Sequence, residues 1–383
     1  MRTIYMDHAA TTPMHPEVAA AMLEVMTGGP GNPSSMHAYG RAAKARLARS
    51  RDELAGLLSC KPAELVFTSG GTESDNAALL GAARAMRKLG RTHIVTSSVE
   101  HHAVLHAVEA LEREGFQVTY VPVNAEGTVL PEAVQAAIQP DRTALVSVMW
   151  ANNEVGTIQP VQAIGELAHE AGALYHADAV QAFGSLPIDL RNMPVDLASF
   201  SAHKINGPQG IGALYIATGT PYEPVSHGGS QERRRRAGTE NVAGAAGFAA
   251  AAAIACAQLE TKATALRELR DGLERRLIEL LGADRIAING DLKNRLPHIT
   301  NISLLGADTE SMLMNLDLEG IAAASGSACT SGALERSHVL KAMGIPEERL
   351  TSAVRFSLGL GNTWEDIETA AQKIATVSKR IRK

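Results

Sequence analysis

The chain has 383 residues, of which 45% are hydrophobic and 20% charged, and its formal net charge is −5 at pH 7. This length is too great for one simple core and predicts two packed domains with the composition of an ordinary globular protein. The mildly acidic balance excludes the basic footprint of a nucleic-acid-binding protein, so we expect no direct nucleic-acid partner.

The cysteine content and the apolar runs indicate the cellular compartment of the protein. Cys60, Cys256 and Cys329 form no CxxC pair and cannot build a disulfide framework, which is typical of the reducing cytosol. The N-terminal stretch lacks the apolar core of a signal peptide. The longest apolar run, residues 242–257, is mostly alanine and glycine and predicts a buried helix, not a membrane span. We therefore expect a cytoplasmic protein without membrane segments.

Short β-branched runs alternate with helical patterns over the first part of the chain. Helical patterns occur, for example, at residues 73–89, 103–114 and 161–171. Continuous apolar strands alternating with helices predict a largely parallel, seven-stranded sheet covered on both faces. The last two strands are joined by a short glycine-rich link, which is compatible with an antiparallel pair. The candidate strands are residues 65–68, 93–96, 118–123, 144–149, 173–176, 197–201 and 212–216.

A smaller α+β unit is predicted for the rest of the chain. Residues 245–281 form one long helical pattern without a strong breaker. After it come candidate strands, a helix and an amphipathic C-terminal helix, with the strands at 285–289, 299–305 and 354–358 and the helix near 309–316. We expect an α/β protein with a large domain at 15–250, a small α+β domain at 251–383, and residues 1–14 packed against the small domain.

Two residues at predicted strand ends are candidates for chemistry. Lys204 follows the strand at 197–201, and ligands of open α/β sheets bind at such ends. A buried lysine with a neutral amine forms Schiff bases, but an exposed lysine in a turn explains these residues equally well. Asp178 stands 26 residues earlier, where a carboxylate could face the pyridine nitrogen of pyridoxal phosphate (PLP). A helix N-cap is the simpler alternative for this aspartate.

A glycine-rich turn at residues 68–73 follows another strand and opens a helix. Its glycines expose backbone N–H groups, and a helix N-terminus attracts phosphate. Taken alone, these residues are explained equally well by a capping box, in which a Ser or Thr and a Glu cap the start of a helix. Together with Lys204 and Asp178, the turn indicates a cofactor that carries a phosphate group.

In their order along the chain, these motifs resemble the class V aminotransferase family, and within it the cysteine desulfurases of the NifS/IscS type. The resemblance implies the fold type I architecture of PLP-dependent aminotransferases. It also implies that L-cysteine is converted to alanine, with the sulfur left as a persulfide on the enzyme. The segments that carry the resemblance are residues 5–13, 31–35, 68–74, 100–104, 152–156, 176–181, 199–204, 228–239, 325–331 and 354–357.

The resemblance implies roles for single residues. Lys204 is expected to bind PLP covalently and to move the proton at the substrate Cα, and His101 is expected to stack on the ring and to carry protons. Arg355 is expected to clasp the substrate carboxylate, with a structural ion pair as the alternative. The other expected contacts are Asp178 at the pyridinium nitrogen, Gln181 at the ring hydroxyl, Asn153 near cofactor and substrate, Gly71, Thr72, Ser201 and His203 at the phosphate, and Thr239 from the partner subunit of a homodimer.

Cys329 is the residue that separates desulfuration from transamination. It lies among serines and glycines at 325–331, a composition that favours a loop, and loops often carry functional residues. A buried structural role is commoner for a lone cysteine. The resemblance nevertheless implies that Cys329 carries the persulfide, because Cys60 and Cys256 have no such setting. It also implies a sulfur acceptor as partner, such as an iron–sulfur scaffold protein or another thiolation pathway.

Other functions remain open at this point. A class V enzyme of different specificity, such as a selenocysteine lyase or a transaminase, is one alternative. A non-catalytic sulfur carrier on the same fold is another, although it has no need of Lys204. Metal binding by His101, His102 and His106 is poorly supported, because no acid or cysteine stands at ligand spacing. His8 stands where many relatives have asparagine, and we expect no effect on the chemistry.

Overall fold

The computed structural model of the protein describes residues 3–326 and 336–382. In these ranges the strands are β1 (Ile4–Tyr5), β2 (Leu65–Thr68), β3 (His93–Ser97), β4 (Gln117–Val121), β5 (Thr143–Ser147), β6 (Leu174–Asp178), β7 (Leu197–Ser201), β8 (Gly212–Ile216), β9 (Ile286–Asn289), β10 (Ile299–Leu304), β11 (Ile321–Ala322) and β12 (Ala353–Ser357). The helices are α1 (Pro16–Thr27), α2 (Ala38–Leu57), α3 (Gly71–Arg87), α4 (His102–Arg113), α5 (Pro131–Ala137), α6 (Val161–Glu170), α7 (Val242–Ala257), α8 (Leu259–Leu281), α9 (Thr309–Leu318), α10 (His338–Ala342), α11 (Glu347–Leu350) and α12 (Trp364–Ile381).

The larger sheet has seven strands in the order β2-β8-β7-β6-β5-β3-β4. The pairs from β4 through β7 are parallel, and β8 runs antiparallel to both β2 and β7. This arrangement confirms the predicted α/β fold with a mainly parallel sheet. Because β8 alone runs in reverse, the carboxyl ends of β2, β3, β5, β6 and β7 lie at one edge of the sheet. Ligand sites of such sheets form at this edge.

Helices cover both faces of the seven-stranded sheet. On one face α3 and α4 form a core with the strands, and small side chains such as Ala78 and Ala82 let α3 approach β7 and β8 closely. On the other face Leu54, Ile164 and Phe248 from α2, α6 and α7 join a second core. Strands buried on both faces explain why β5, β6 and β7 consist of buried residues throughout.

A three-stranded antiparallel sheet, in the order β12-β10-β9, forms the centre of the second unit. Helices α8, α9 and α12 pack against it, with Leu273, Phe356 and Ile374 in its core. The N-terminal segment connects the two units, because Met6 lies in this core while Ala9 lies in the core of the larger sheet. Strand β1 also pairs in parallel with β11.

The expected single helix over residues 245–281 is wrong. The structure has two helices, α7 and α8, that meet at an angle of 72° at Gln258. Tertiary packing explains the bend, because α7 packs against α1 and α2 while α8 packs against α12. We propose that the two units divide at this bend, a few residues beyond the expected boundary at 250. Within the described ranges no single helix is long and apolar enough to span a membrane. Only α7 and α8 taken together reach that length and apolar composition, and they are bent by 72°.

Candidate active site

The carboxyl edge of the larger sheet and strand β12 enclose a cavity of about 270 Å³. Of the described residues that the sequence predicted around the cofactor, each lines it except Thr239. The predicted residues that line the cavity are Gly71, Thr72, His101, Asn153, Asp178, Gln181, Ser201, His203, Lys204 and Arg355. Residues far apart in the sequence therefore converge on one space.

Lys204 lies in the short turn after β7, and its amine points to the N-terminal segment. Its Nζ donates hydrogen bonds to the carbonyl oxygens of Ala9, at 2.5 Å, and Ala10, at 2.7 Å. Gln181 Nε2 donates to the same Ala9 oxygen at 2.9 Å. The carbonyls of residues 9 and 10 therefore orient both side chains from the N-terminal side. Sequence reasoning missed them, because a backbone carbonyl has no residue-specific signal.

Asp178 is the last residue of β6 and is buried beside Lys204. Its Oδ1 accepts a hydrogen bond from the Val180 backbone N–H at 2.9 Å. Burial raises the pKa of Asp178, while the Val180 N–H and the positive charge of Lys204 oppose this rise. Asp75 also lines the cavity, and burial together with Asp178 raises its pKa well above the ordinary value. The floor of the cavity thus carries buried carboxyl groups, which suit a cationic ring nitrogen.

His101 precedes α4 and caps it. Its Nδ1 accepts the Ala103 backbone N–H at 3.1 Å, so the ring proton of the neutral form lies on Nε2. Burial lowers the pKa of His101 to about 4, and Lys204 adds to this effect. His101 is therefore neutral near pH 7, and its low pKa makes it a weak base. In the part of the chain that the structure describes, no cluster of potential ligands is arranged to hold a metal ion.

The N-terminus of α3 forms a pocket suited to a phosphate. A Cβ atom at Gly71 would lie 2.7 Å from Val180 Cγ2, so only glycine allows this close approach. Ser201 Oγ is buried and has no hydrogen-bond partner within residues 3–326 and 336–382. A buried hydroxyl without a partner next to the free N–H groups of a helix N-terminus fits a phosphate oxygen. The residues present therefore fit PLP.

Arg355 lies in β12, and its side chain is 2% exposed. Its Nη2 donates to Asp7 Oδ1 at 2.8 Å, and its Nη1 donates to the carbonyls of Asn153 at 3.0 Å and Gly326 at 2.8 Å. Its Nε has no partner in the described ranges. The guanidinium thus makes the ion pair that the sequence left as an alternative, and it also borders the cavity where a substrate carboxylate could bind.

One predicted site residue, Thr239, lies away from this cavity. Thr239 is exposed and lines a separate small cavity with Thr68 and Arg236. Cys329 lies outside the described residues. Gly326, which precedes Cys329 by three residues in the sequence, lines the main cavity.

Sequence reasoning also missed several side chains at the cavity. Asp75 lies two residues after the glycine-rich turn, and Glu154 follows Asn153 within a segment that carried the resemblance, so both had a local signal. Asp7, which does not line the cavity but binds Arg355, also stands in such a segment, residues 5–13. His338 had no local signal, because its contact with His102 depends on the fold.

Comparison with known proteins identifies the family. The class V aminotransferase family model matches residues 4–369, so the chain belongs to this family of PLP-dependent enzymes. Within it, the chain is of the NifS/IscS type: it is 46% identical to the cysteine desulfurase IscS of Methanosarcina thermophila, over all of this chain and 93% of that protein. These matches confirm the resemblance seen in the sequence.

Solved structures agree with this assignment. A NifS-like protein superposes with a TM-score of 0.92 at 36% identity, covering 99% of this chain and 100% of its own. SspA, solved in complex with cysteine, superposes with a TM-score of 0.81 at 32% identity, covering 93% of this chain and 99% of its own.

Proposed function

We propose that the protein is a PLP-dependent cysteine desulfurase that converts L-cysteine to L-alanine and carries the sulfur as a persulfide on Cys329. The observation that supports this most is that Lys204, Asp178 and Arg355 line one cavity. A lysine, a buried carboxyl group and an arginine are what an amino acid and PLP together require. The relatives named cysteine desulfurase and the SspA complex with cysteine support the choice of substrate.

Each group of PLP has a counterpart among the lining residues. Lys204 would be the covalent attachment point, Asp178 would pair with the ring nitrogen, and Gln181 would bind the ring hydroxyl. The α3 N-terminus with Gly71 and Thr72, together with Ser201 and His203, would hold the phosphate. PLP would supply an electron sink that stabilises negative charge on the substrate carbon. The Asp178 carboxylate would favour this chemistry by stabilising a protonated ring nitrogen.

Lys204 and His101 handle protons in this proposal. The amine of Lys204 takes the proton from the substrate Cα, and the carbonyls of Ala9 and Ala10 orient it toward the cavity. His101 relays protons in this proposal, and its imidazole is neutral near pH 7 because burial lowers its pKa to about 4. Arg355 and Asn153 hold the substrate carboxylate, so that the Cα–H bond faces the amine.

The sulfur step requires a thiolate, and Cys329 supplies it. Its sulfur forms a bond to the sulfur of L-cysteine while the carbon–sulfur bond breaks, and protonation of the carbon then yields alanine. The other cysteines are poor candidates, because burial and Glu64 raise the pKa of Cys60 to about 12, and burial raises the pKa of Cys256. Neither lines the cavity among the described residues.

The persulfide is then available to an acceptor thiol, such as that of an iron–sulfur scaffold or of another thiolation pathway. We place this reaction in the cytoplasm, where thiols stay reduced.

A homodimer completes the proposed site. Thr239 is exposed in the single chain and lies away from the cavity, so we propose that it serves the phosphate of the partner subunit. Light scattering of the active protein is expected to give the mass of two chains. An active species with the mass of one chain would contradict the shared site.

The function is tested by incubating the PLP-loaded protein with L-cysteine and a reducing thiol. We expect alanine and sulfide in equal amounts, with L-serine as the inactive control. Release of a 2-oxo acid in place of alanine would indicate a transaminase. Activity with L-selenocysteine and none with L-cysteine would indicate a selenocysteine lyase, and no turnover of any of these substrates would favour a carrier.

A further inference from the structure

Glu154 is a buried carboxyl group that none of the roles above uses. It lines the cavity beside Arg355 and Gly326 and is fully buried. Its Oε1 has no hydrogen-bond partner within the described ranges. A buried carboxyl group is costly unless its contacts compensate for lost hydration, so the contacts that Glu154 does make indicate its role.

One contact is with the start of α10. Ser337 Oγ donates to Glu154 Oε2 at 2.5 Å, and the same hydroxyl accepts the Leu340 backbone N–H at 3.1 Å as the N-cap of α10. The next residue, His338, donates from Nε2 to the Glu100 carbonyl at 2.9 Å. The start of α10 is therefore fixed to the loops that follow β3 and β5.

A second contact is with Gly326. A Cβ atom at this position would lie 2.4 Å from Glu154 Oε2, and its φ of +136° also favours glycine. The Gly326 carbonyl accepts a hydrogen bond from Arg355, and the backbones of Ala324 and Arg355 pair two residues earlier. Gly326 therefore packs closely against the Glu154 carboxyl group, while its carbonyl is bonded to the Arg355 guanidinium.

Glu154 is itself held firmly by the preceding turn. Asn152 Oδ1 accepts the backbone N–H groups of Glu154, at 2.8 Å, and Val155, at 3.0 Å. Asn152 Nδ2 in turn donates to the Val99 carbonyl at 3.0 Å. The carboxyl group is thus presented from a turn in the loop that follows β5 to Gly326 and Ser337, which stand on either side of residues 327–335 in the sequence.

We propose that Glu154 is a positioning residue for sulfur transfer: by fixing Gly326 and Ser337 beside Arg355, it sets how productively Cys329, which lies between them in the sequence, meets the substrate sulfur. This inference rests on the proposed function. It predicts that Glu154 acts on the sulfur step and not on the proton step at Cα, because Lys204 is held by Ala9 and Ala10.

The test compares Glu154→Ala and Glu154→Gln with wild type, all as PLP-loaded dimers. In Glu154→Ala we expect the absorbance change of the bound cofactor on adding L-cysteine to keep its rate within about twofold, while persulfide formation on Cys329 slows at least about tenfold, since small misplacements of reacting groups have large effects on rate. Glu154→Gln should recover most of the rate, because its amide oxygen still accepts from Ser337. Glu166→Ala, an exposed glutamate on α6, is the matched control.

Alkylation in the absence of substrate gives a readout that does not depend on turnover. The rate of Cys329 alkylation is expected to change in Glu154→Ala, whereas the rates at Cys60 and Cys256 are expected to match wild type. A wild-type persulfide rate in Glu154→Ala would overturn the inference, as would equal slowing of the cofactor absorbance change. If wild type itself forms no persulfide on Cys329, the proposed function fails instead.

Discussion

The two walls of the cavity are built in different ways. The strand-end wall (Gly71, Asp178 and Lys204) comes from the seven-stranded sheet, and each of its residues lies within three residues of its strand. The anchor wall (Glu154, Gly326 and Arg355) is joined by contacts between distant parts of the chain. Arg355, for example, bonds to Asp7, which stands 348 residues earlier.

This difference separates two tasks. The strand-end wall offers a lysine, a carboxyl group and a helix N-terminus to the cofactor, and its geometry follows from the sheet alone. We propose that the anchor wall holds the substrate carboxylate and the chain on either side of residues 327–335. Its geometry exists only once both sheets have packed together. Changes in the first wall should therefore abolish all chemistry, and changes in the second should affect single steps.

The largest effect is expected for Lys204→Ala in the strand-end wall. Loss of both the attachment point and the proton carrier should lower alanine formation by at least about 10³-fold. Borohydride reduction of wild type followed by peptide mapping should find the cofactor on Lys204. Lys88→Ala, which changes a largely exposed lysine, is the matched control and should retain activity. A cofactor label on any other lysine would refute the assignment.

A smaller, selective effect is expected for Arg355→Lys in the anchor wall. Lysine keeps the positive charge but lacks the planar guanidinium group, which can bind a carboxylate through two hydrogen bonds. KM for L-cysteine should therefore rise about 10- to 100-fold. The change in kcat should be smaller. Steady-state kinetics with varied L-cysteine measure both constants.

Asp7→Asn separates substrate binding from the structural ion pair of Arg355. This variant removes the ion pair but leaves the guanidinium, so we expect a lower melting temperature with KM within about threefold of wild type. If Arg355→Lys lowers the melting temperature and leaves KM unchanged, then Arg355 is purely structural and the anchor wall does not bind substrate.

The smallest effect concerns His8, which is buried between the two units. Burial lowers the pKa of His8 to about 4, and the positive charge of Lys262 adds to this. The stability that comes from neutral His8 is fully present above its ordinary pKa of about 6.5 and is lost as the pH falls from there toward 4. His8→Asn removes this loss. Urea unfolding measures the free energy of unfolding of both proteins at about pH 7.5 and about pH 5.5. Between these pH values, the free energy of unfolding of His8→Asn should fall by about 1 kcal/mol less than that of wild type. An unchanged decrease would mean that His8 is not buried in its neutral form.

Much of the strand-end wall could be predicted from sequence. Strands such as β2, β7 and β8 have the predicted bounds, because short apolar runs end at glycine, serine or threonine. Lys204 and Asp178 stood out because each lies near the end of a predicted strand. The bend at Gln258 could not be predicted, since no proline or glycine marks it and the packing of α7 and α8 on different partners causes it.

Most contacts of the anchor wall could not be predicted from the sequence. Arg355 was found through the family resemblance, but Asp7 and Glu154 were not assigned any role. Both residues stand in segments that carried the resemblance, but their contacts with Arg355, Gly326 and Ser337 depend on the fold. The roles of backbone groups, such as the carbonyls that hold Lys204, cannot be predicted from residue types either.

The most direct test of the central claim is to map the persulfide and measure alanine in Cys329→Ser, Cys60→Ser and Cys256→Ser. A serine hydroxyl is far less acidic than a thiol and attacks sulfur poorly. Cys329→Ser should therefore keep the absorbance change of the cofactor with L-cysteine but yield almost no alanine. The other two variants should match wild type and carry the persulfide on Cys329. Full activity of Cys329→Ser, or a persulfide on Cys60 or Cys256, would contradict the account.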